Sequence, residues 1–259
     1  MDGHRARKRF GQNFLADSHW VGRIVDAVAP RPGERIVEIG PGLAALTGAL
    51  IAGAGHVTAI EIDRDLAARL RDRFSAELLT LHEADALEFE YSTLGNDLRV
   101  VGNLPYNISS PLLFLLAAHA RQLRDVHVML QKEVVARMAA APGTADYGRL
   151  SVMLQVCFRI ERLFVLPPGA FRPAPKVDSA VARLVPLHAA APALADAAFF
   201  ARIVAAAFAQ RRKTLRNALS ALCTPELMVQ VGIDPAARGE TLSVDAFVRL
   251  ANASACASR

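Results

Sequence analysis

The chain has 259 residues, 53% hydrophobic and 21% charged, and Lys plus Arg exceed Asp plus Glu by 30 to 25, a net charge of +5. Such values belong to a folded chain forming one large domain, or a large domain with a small appendage, and exclude a disordered or fibrous one. Cys157, Cys223 and Cys256 lie far apart without CxxC or Cys/His spacing, so neither a metal site nor a disulfide framework is expected, and a reducing cytoplasmic setting fits.

The basic N-terminus holds Arg5, Arg7, Lys8 and Arg9, then Phe10, Phe14 and Leu15 around Gly11-Gln12-Asn13. No helical or strand period fits this stretch, which reads as an arm packed over something. The polar break after the cations excludes a secretory signal, and apolar runs such as 111–118 are too short to span a bilayer. Asp17 or Ser18 can cap a helix through Val28, and Pro30-Arg31-Pro32-Gly33 ends it. Arg35–Ile39 reads as a buried strand entering Gly40-Pro41-Gly42, followed by a helix through Leu50. Strands are predicted at 56–62, 78–82, 98–101 and 125–130, with helices at 65–74, 109–120 and 131–139 between or after them. Residues 150–158 fit a helix or a strand, and 159–166 and 177–187 fit late strands. This βα alternation predicts an α/β fold with a parallel, doubly wound sheet. After Pro186–Pro192 the chain becomes Ala-rich and helical, with further short helices at 225–231 and 244–250. A boundary near 188–195 divides a domain of residues 1–190 from a helical one of 191–259.

Two stretches carry chemistry. Gly40-x-Gly42-x-x-Ala45 follows the first strand, where glycines let backbone approach a nucleotide and the helix N-terminus favours negative charge. Glu61 lies about 20 residues on, as a ribose ligand does. Glu38 inside the strand could anchor an ammonium group or the loop, Pro41 stiffens the turn, and Asp85 can accept from an adenine amino group. Gly40, Glu61 and Asp85 together fit one nucleoside with an amino-acid tail, S-adenosylmethionine, better than a pyrophosphate. The second stretch is Val101-Gly102-Asn103-Leu104-Pro105-Tyr106-Asn107, an apolar strand stopping in a polar, aromatic turn. An exocyclic amine on a flat base needs acceptors in its plane and a ring to stack on. Asn103 offers a carboxamide oxygen, Leu104 a carbonyl that Pro105 can aim outward, and Tyr106 a π-face.

The chain closely resembles the ribosomal RNA adenine N6,N6-dimethyltransferases of the KsgA/RsmA type. The resemblance runs through 7–15, Glu38–Leu43, Glu61–Asp63 and Gly102–Ser109, then 129–134, 147–152, 173–179 and 210–214, in the family's order. It implies a Rossmann-like class I methyltransferase fold with a small all-helical C-terminal domain that binds rRNA. It also implies S-adenosylmethionine as methyl donor, without a metal, and two adjacent adenosines in the 3′-terminal hairpin of small-subunit (16S) rRNA as targets. Asn13, Leu15, Gly40, Glu61, Asp85 and Asn103 would line the cofactor site. Asn103, Leu104 and Tyr106 would hold the target adenine, with Phe171 stacked on its other face. Where the generic loop often has a third glycine, this chain has Ala44. Arg5, Arg7, Lys8 and Arg9, with Arg211, Arg212, Lys213 and Arg216, are expected to contact rRNA phosphates. The expected partner is rRNA within a pre-30S particle, met by a monomer. A DNA adenine or protein-glutamine methyltransferase fits less well, because those carry Asn-Pro-Pro-Tyr where this chain has Leu104. A non-catalytic ribosome-assembly factor is a further alternative, opposed by the intact Glu61, Asp85 and Asn103. An NAD-dependent dehydrogenase would lack an evident His/Lys constellation.

Overall fold

A computed structural model describes residues 12–257. Arg5, Arg7, Lys8 and Arg9 lie outside the described residues. In chain order the elements are β1 (Phe14–Leu15), α1 (Ser18–Val28), β2 (Arg35–Ile39), α2 (Thr47–Ala54), β3 (Val57–Glu61), α3 (Arg64–Arg73) and β4 (Leu79–Glu83). They continue as β5 (Leu98–Asn103), α4 (Ser109–Ala118), β6 (Leu123–Gln131), α5 (Lys132–Met138), α6 (Arg149–Gln155), β7 (Phe158–Leu166), β8 (Phe171–Arg172) and β9 (Ser179–Pro186). The C-terminal part is helical: α7 (Ala197–Ala209), α8 (Leu215–Ala218), α9 (Pro225–Gln230) and α10 (Val244–Ala257). Residues 150–158 therefore resolve mainly into a helix, and the last helix runs beyond Leu250.

Cap chemistry sets several of these boundaries. The Asp17 carboxylate accepts from the His19 amide at the start of α1, Asp63 does the same for Asp65 at α3, and Asp196 for Phe199 at α7. Buried Ile24 and Val28 face the core from α1, and Phe200, Ile203, Val204 and Ala207 from α7.

The seven-stranded sheet has the order β4-β3-β2-β5-β6-β9-β7. Strands β4 through β6 pair in parallel, but β9 runs antiparallel to β6. The wholly parallel sheet expected from βα alternation is thus corrected to a mixed one. Between β7 and β9 the chain has no crossover helix, and a parallel pair needs a long crossover connection. The sequence runs outward from β2 through β3 to β4, then resumes beside β2 with β5. Strands β2 and β5 therefore flank a topological switch point, where open α/β sheets bind ligands at strand C-termini. Glu38 and Asn103 stand at or near those ends.

The chain divides into two compact units, one of residues up to Val135 with Ile160–Pro186, the other of Ala136–Arg159 with Leu187 onward. The second unit therefore takes in a segment well before the 188–195 linker. Its core includes Tyr147, Val152, Phe200, Leu215, Met228, Phe247 and Leu250, and the Tyr147 hydroxyl donates to the Leu242 carbonyl at 2.8 Å. Among the described residues no helix is long and apolar enough to cross a membrane.

Candidate active site

One cavity at the switch point is lined by Asn13, Leu15, Glu38, Gly40, Gly42, Glu61, Asp85, Asn103, Leu104 and Tyr106, with other neighbours. All belong to the first unit. The structure thus brings together every described residue assigned to the cofactor and three of the four assigned to the target base.

The glycine loop has Gly40 at φ +65° and Gly42 at φ +58°, backbone that side chains with a Cβ avoid. A Cβ on Gly42 would also stand 3.1 Å from the Phe14 ring, so the arm lies directly on this loop. Ala44, in the place of a third glycine, adopts φ +62° despite its methyl group. The Glu61 carboxylate ties the loop to the end of β3: Oε2 accepts from the Gly42 amide at 3.1 Å and Oε1 from the Asp63 amide at 2.9 Å. With these amides bound, the carboxylate keeps acceptor capacity for a ligand hydroxyl. Burial raises the Glu61 pKa, with the amides of Asp63, Gly42 and Ile62 opposing and the Asp63 charge reinforcing the rise. Asp85 follows β4 in a tight turn, its carboxylate accepting from the Leu87 amide at 2.8 Å.

Glu38 is the most isolated charge in the site. It is 2% exposed, and its Oε2 has no hydrogen-bond partner among the described residues. Burial pushes its pKa up to about 7, the nearby Thr47 hydroxyl opposing and the Glu61 charge reinforcing the rise. A cationic ligand would satisfy such a group. Two buried carboxylates beside a left-handed glycine loop fit an amino-acid nucleoside bearing a sulfonium and an ammonium charge.

Opposite this half stands the turn after β5. Gly102 is required there by close approach, since a Cβ would lie 2.8 Å from the Ile39 carbonyl oxygen across the strands. The Asn103 Nδ2 donates to the Asn13 carbonyl at 2.8 Å, which leaves Oδ1 as the acceptor end of the amide. The Leu104 amide donates to the Met129 carbonyl at 3.1 Å and pins the main chain to β6. The half-buried Tyr106 ring places its hydroxyl 2.9 Å from Ser179 Oγ, and the Ser109 hydroxyl donates to the Tyr106 carbonyl at 3.0 Å.

Phe171 does not join this group. It is 1% exposed, pairs with Leu15 through the β1–β8 ladder, and packs in the core with Ala170, Leu166 and Val181. Its place in the core and in the ladder makes it the residue that clamps the arm. Residues not singled out from sequence include Phe14, Leu43 and Ile62, which line the cavity as apolar walls. Leu43 and Ile62 are 37% and 44% exposed, and an apolar side chain directly after Glu61 at a strand end was the available signal.

In the second unit, Arg211, Arg212, Lys213 and Arg216 are exposed around the connection between α7 and α8. Arg211 donates to the Ala145 carbonyl at 3.0 Å and pairs with Glu240 at 3.2 Å, so part of its charge is used internally.

The family model for ribosomal RNA adenine dimethylases matches residues 3–255. A ribosomal RNA small subunit methyltransferase A from Aromatoleum aromaticum is 60% identical over 252 residues, covering 97% of this chain and 95% of that one. The protein of the same name from Thiobacillus denitrificans is also 60% identical, covering 93% and 94%. Among solved structures, a dimethyladenosine transferase from Plasmodium falciparum shares the fold with a TM-score of 0.81 at 24% identity, covering 92% of this chain and 95% of that one. The 23S rRNA methyltransferase ErmE gives 0.70 at 29% identity, covering 93% and 99%. With the glycine loop, the paired carboxylates and the Asn-Leu-Pro-Tyr turn in one cavity, the chain belongs to the ribosomal RNA adenine dimethylases.

Proposed function

We propose that the chain uses S-adenosylmethionine to dimethylate the N6 atoms of two adjacent adenosines in the 3′-terminal hairpin of 16S rRNA, within a precursor of the small ribosomal subunit. The observation that carries the reading is the Asn103 amide, held by the Asn13 carbonyl so that its oxygen is the free end beside the carboxylate-lined half of the cavity.

Bound S-adenosylmethionine supplies an electrophilic methyl group on a sulfonium centre. Asn13, Leu15, Gly40 and Asp85 would enclose its nucleoside part, Glu61 would accept from its ribose, and Glu38 would compensate its cationic tail. The nucleophile, adenine N6, is poor because its lone pair is delocalised into the ring. Asn103 Oδ1 and the Leu104 carbonyl would accept hydrogen bonds from N6–H groups, two before the first transfer and one before the second, and so favour a pyramidal nitrogen with its lone pair free to react. Each transfer would release one N6 proton, which these acceptors would hand to water. Catalysis then rests on orientation and electrostatics. The base must leave its stack, at a cost of a few kcal/mol, offset in part by stacking on Tyr106. Arg212, Lys213 and Arg216, exposed on the helical unit, hold rRNA phosphates together with the N-terminal cations.

Incubation with labelled S-adenosylmethionine and under-methylated small subunits, followed by mapping of the label, tests the reading. Label on two neighbouring adenosines of the 3′ hairpin is expected. Label confined to other positions of the small-subunit rRNA, or absent from adenines, would overturn it.

A further inference from the structure

We propose that Ser179 is a positioning residue for the target adenosine: its hydroxyl holds the Tyr106 phenol and so sets the surface on which the extruded base stacks. The inference rests on the reading of Tyr106 as that surface and adds what keeps it in place.

Ser179 opens β9, opposite Gln131 at the end of β6, and is fully buried. Its neighbours along the strand are Ala180, Val181 and Ala182, all buried and apolar. An alanine would fill the same space, so a hydroxyl there has to be explained by what it bonds. Its partner is the Tyr106 hydroxyl at 2.9 Å. The strand end that carries Ser179 is itself pinned, because the Lys132 amide donates to the Asp178 carbonyl at 3.0 Å and Lys132 Nζ pairs with the Asp178 carboxylate at 3.1 Å.

Tyr106 is placed differently. It sits in the turn between β5 and α4, half-buried against the cavity, with only its carbonyl tied locally by the Ser109 hydroxyl. A ring on such a turn would have its χ1 well chosen by the turn alone. The bond at the para oxygen fixes the far end of the ring to the sheet instead. A platform held at both ends loses less freedom when a base arrives, which is the preorganisation that an extruded nucleotide needs.

The test measures kcat and KM for under-methylated small subunits, with S-adenosylmethionine affinity and melting temperature, in Ser179→Ala, Tyr106→Phe, their double variant and Tyr106→Ala. Ser179→Ala and Tyr106→Phe remove the same bond from opposite sides. Each is expected to lower kcat by roughly three- to tenfold, the size of one neutral hydrogen bond, with cofactor affinity and the subunit KM within about twofold. The double variant should be no worse than the weaker single one. Tyr106→Ala should lose more, roughly 5- to 150-fold, as stacking losses do. Wild-type kcat in Ser179→Ala and Tyr106→Phe, with Tyr106→Ala impaired, overturns the role of Ser179 and leaves the platform standing. Wild-type activity in Tyr106→Ala overturns the platform and the inference with it. Losses that multiply in the double variant also overturn the inference, because Ser179 would then act apart from Tyr106. If Ser179→Ala does not fold, Tyr106→Phe decides the question by the same kcat.

Discussion

The seam between β2 and β5 has two ends, and they treat buried charge in opposite ways. At the N-terminal end, Arg99 is 6% exposed and bonds Asp125 through two nitrogens at 3.0 and 2.9 Å, Glu34 at 2.5 Å and the Val28 carbonyl at 2.6 Å. Arg124 links Glu34 to Asp97. Although burial pushes the Asp125 pKa up, the nearby His127 ring and Arg99 bring it down to about 2. At the C-terminal end, Glu38 and Glu61 face a cavity with no cation lining it among the described residues, and both are raised. One end satisfies its charges within the chain and holds the last turn of α1. The other leaves them for a ligand. A buried carboxylate marks a binding site when the chain has not itself supplied its counter-charge.

The contrast can be tested end by end. Arg99→Leu leaves the buried Asp125 without its two-nitrogen guanidinium partner and should destabilise the fold by about 3–5 kcal/mol, with cofactor affinity of the folded protein unchanged. Asn103→Ala acts at the other end alone. Methylation should fall on the order of 100- to 1000-fold, the loss seen when one oriented polar group is removed from a reacting centre, while melting temperature and rRNA binding stay near wild type.

The two ends also predict opposite pH dependences, read by denaturant titration of cofactor-free protein. Glu38 has a folded pKa of about 7 against 4.5 ordinarily, so the folded chain keeps a proton that the unfolded chain has lost. Stability should fall by about 3 kcal/mol as pH rises through that window. Glu38→Gln should flatten most of the slope, with a residue from Glu61, whose shift has the same sign. Asp125 works on the acid side. Its pKa falls from 3.8 to about 2, so the stability it contributes is present above that window and is lost as pH drops through it.

Smaller effects follow at the periphery. Alanine at Arg212, Lys213 and Arg216 should reduce the salt slope of rRNA binding by about 2 to 3, one unit or slightly less per phosphate contact, and an unchanged slope would remove that surface from the interface. Ala44→Gly should stabilise the fold by about 0.5–1 kcal/mol, because the left-handed backbone strains a side chain there.

Much of this was readable from the chain. Strands β2 to β6 announce themselves as apolar runs, and Asp17 marks a helix start by cap chemistry. The glycine loop and the Asn103 turn stood out because their residue types serve binding better than packing. Three things escaped for one reason, that each depends on residues far apart in sequence. The antiparallel β9 is set by its partner β6, the grouping of 136–159 with the helical unit by tertiary packing, and the burial of Phe171 by a two-residue ladder to the arm. Periodicity reports which face of an element is apolar, not which distant segment covers it.

That short ladder bears on when the site is finished during synthesis. Every lining residue of the cavity lies between Gln12 and Ile108, yet the arm is clamped through Leu15 and Phe171, and through Ala16 and Asp17 amides that share the Ala170 carbonyl. Translation at 5–20 residues per second adds the stretch from Ile108 to Phe171 in roughly 3 to 13 s. For that interval a nascent chain carries the parts of a methyl-donor pocket without the strap that closes it, so a late step in building the site belongs to a segment that lines none of it.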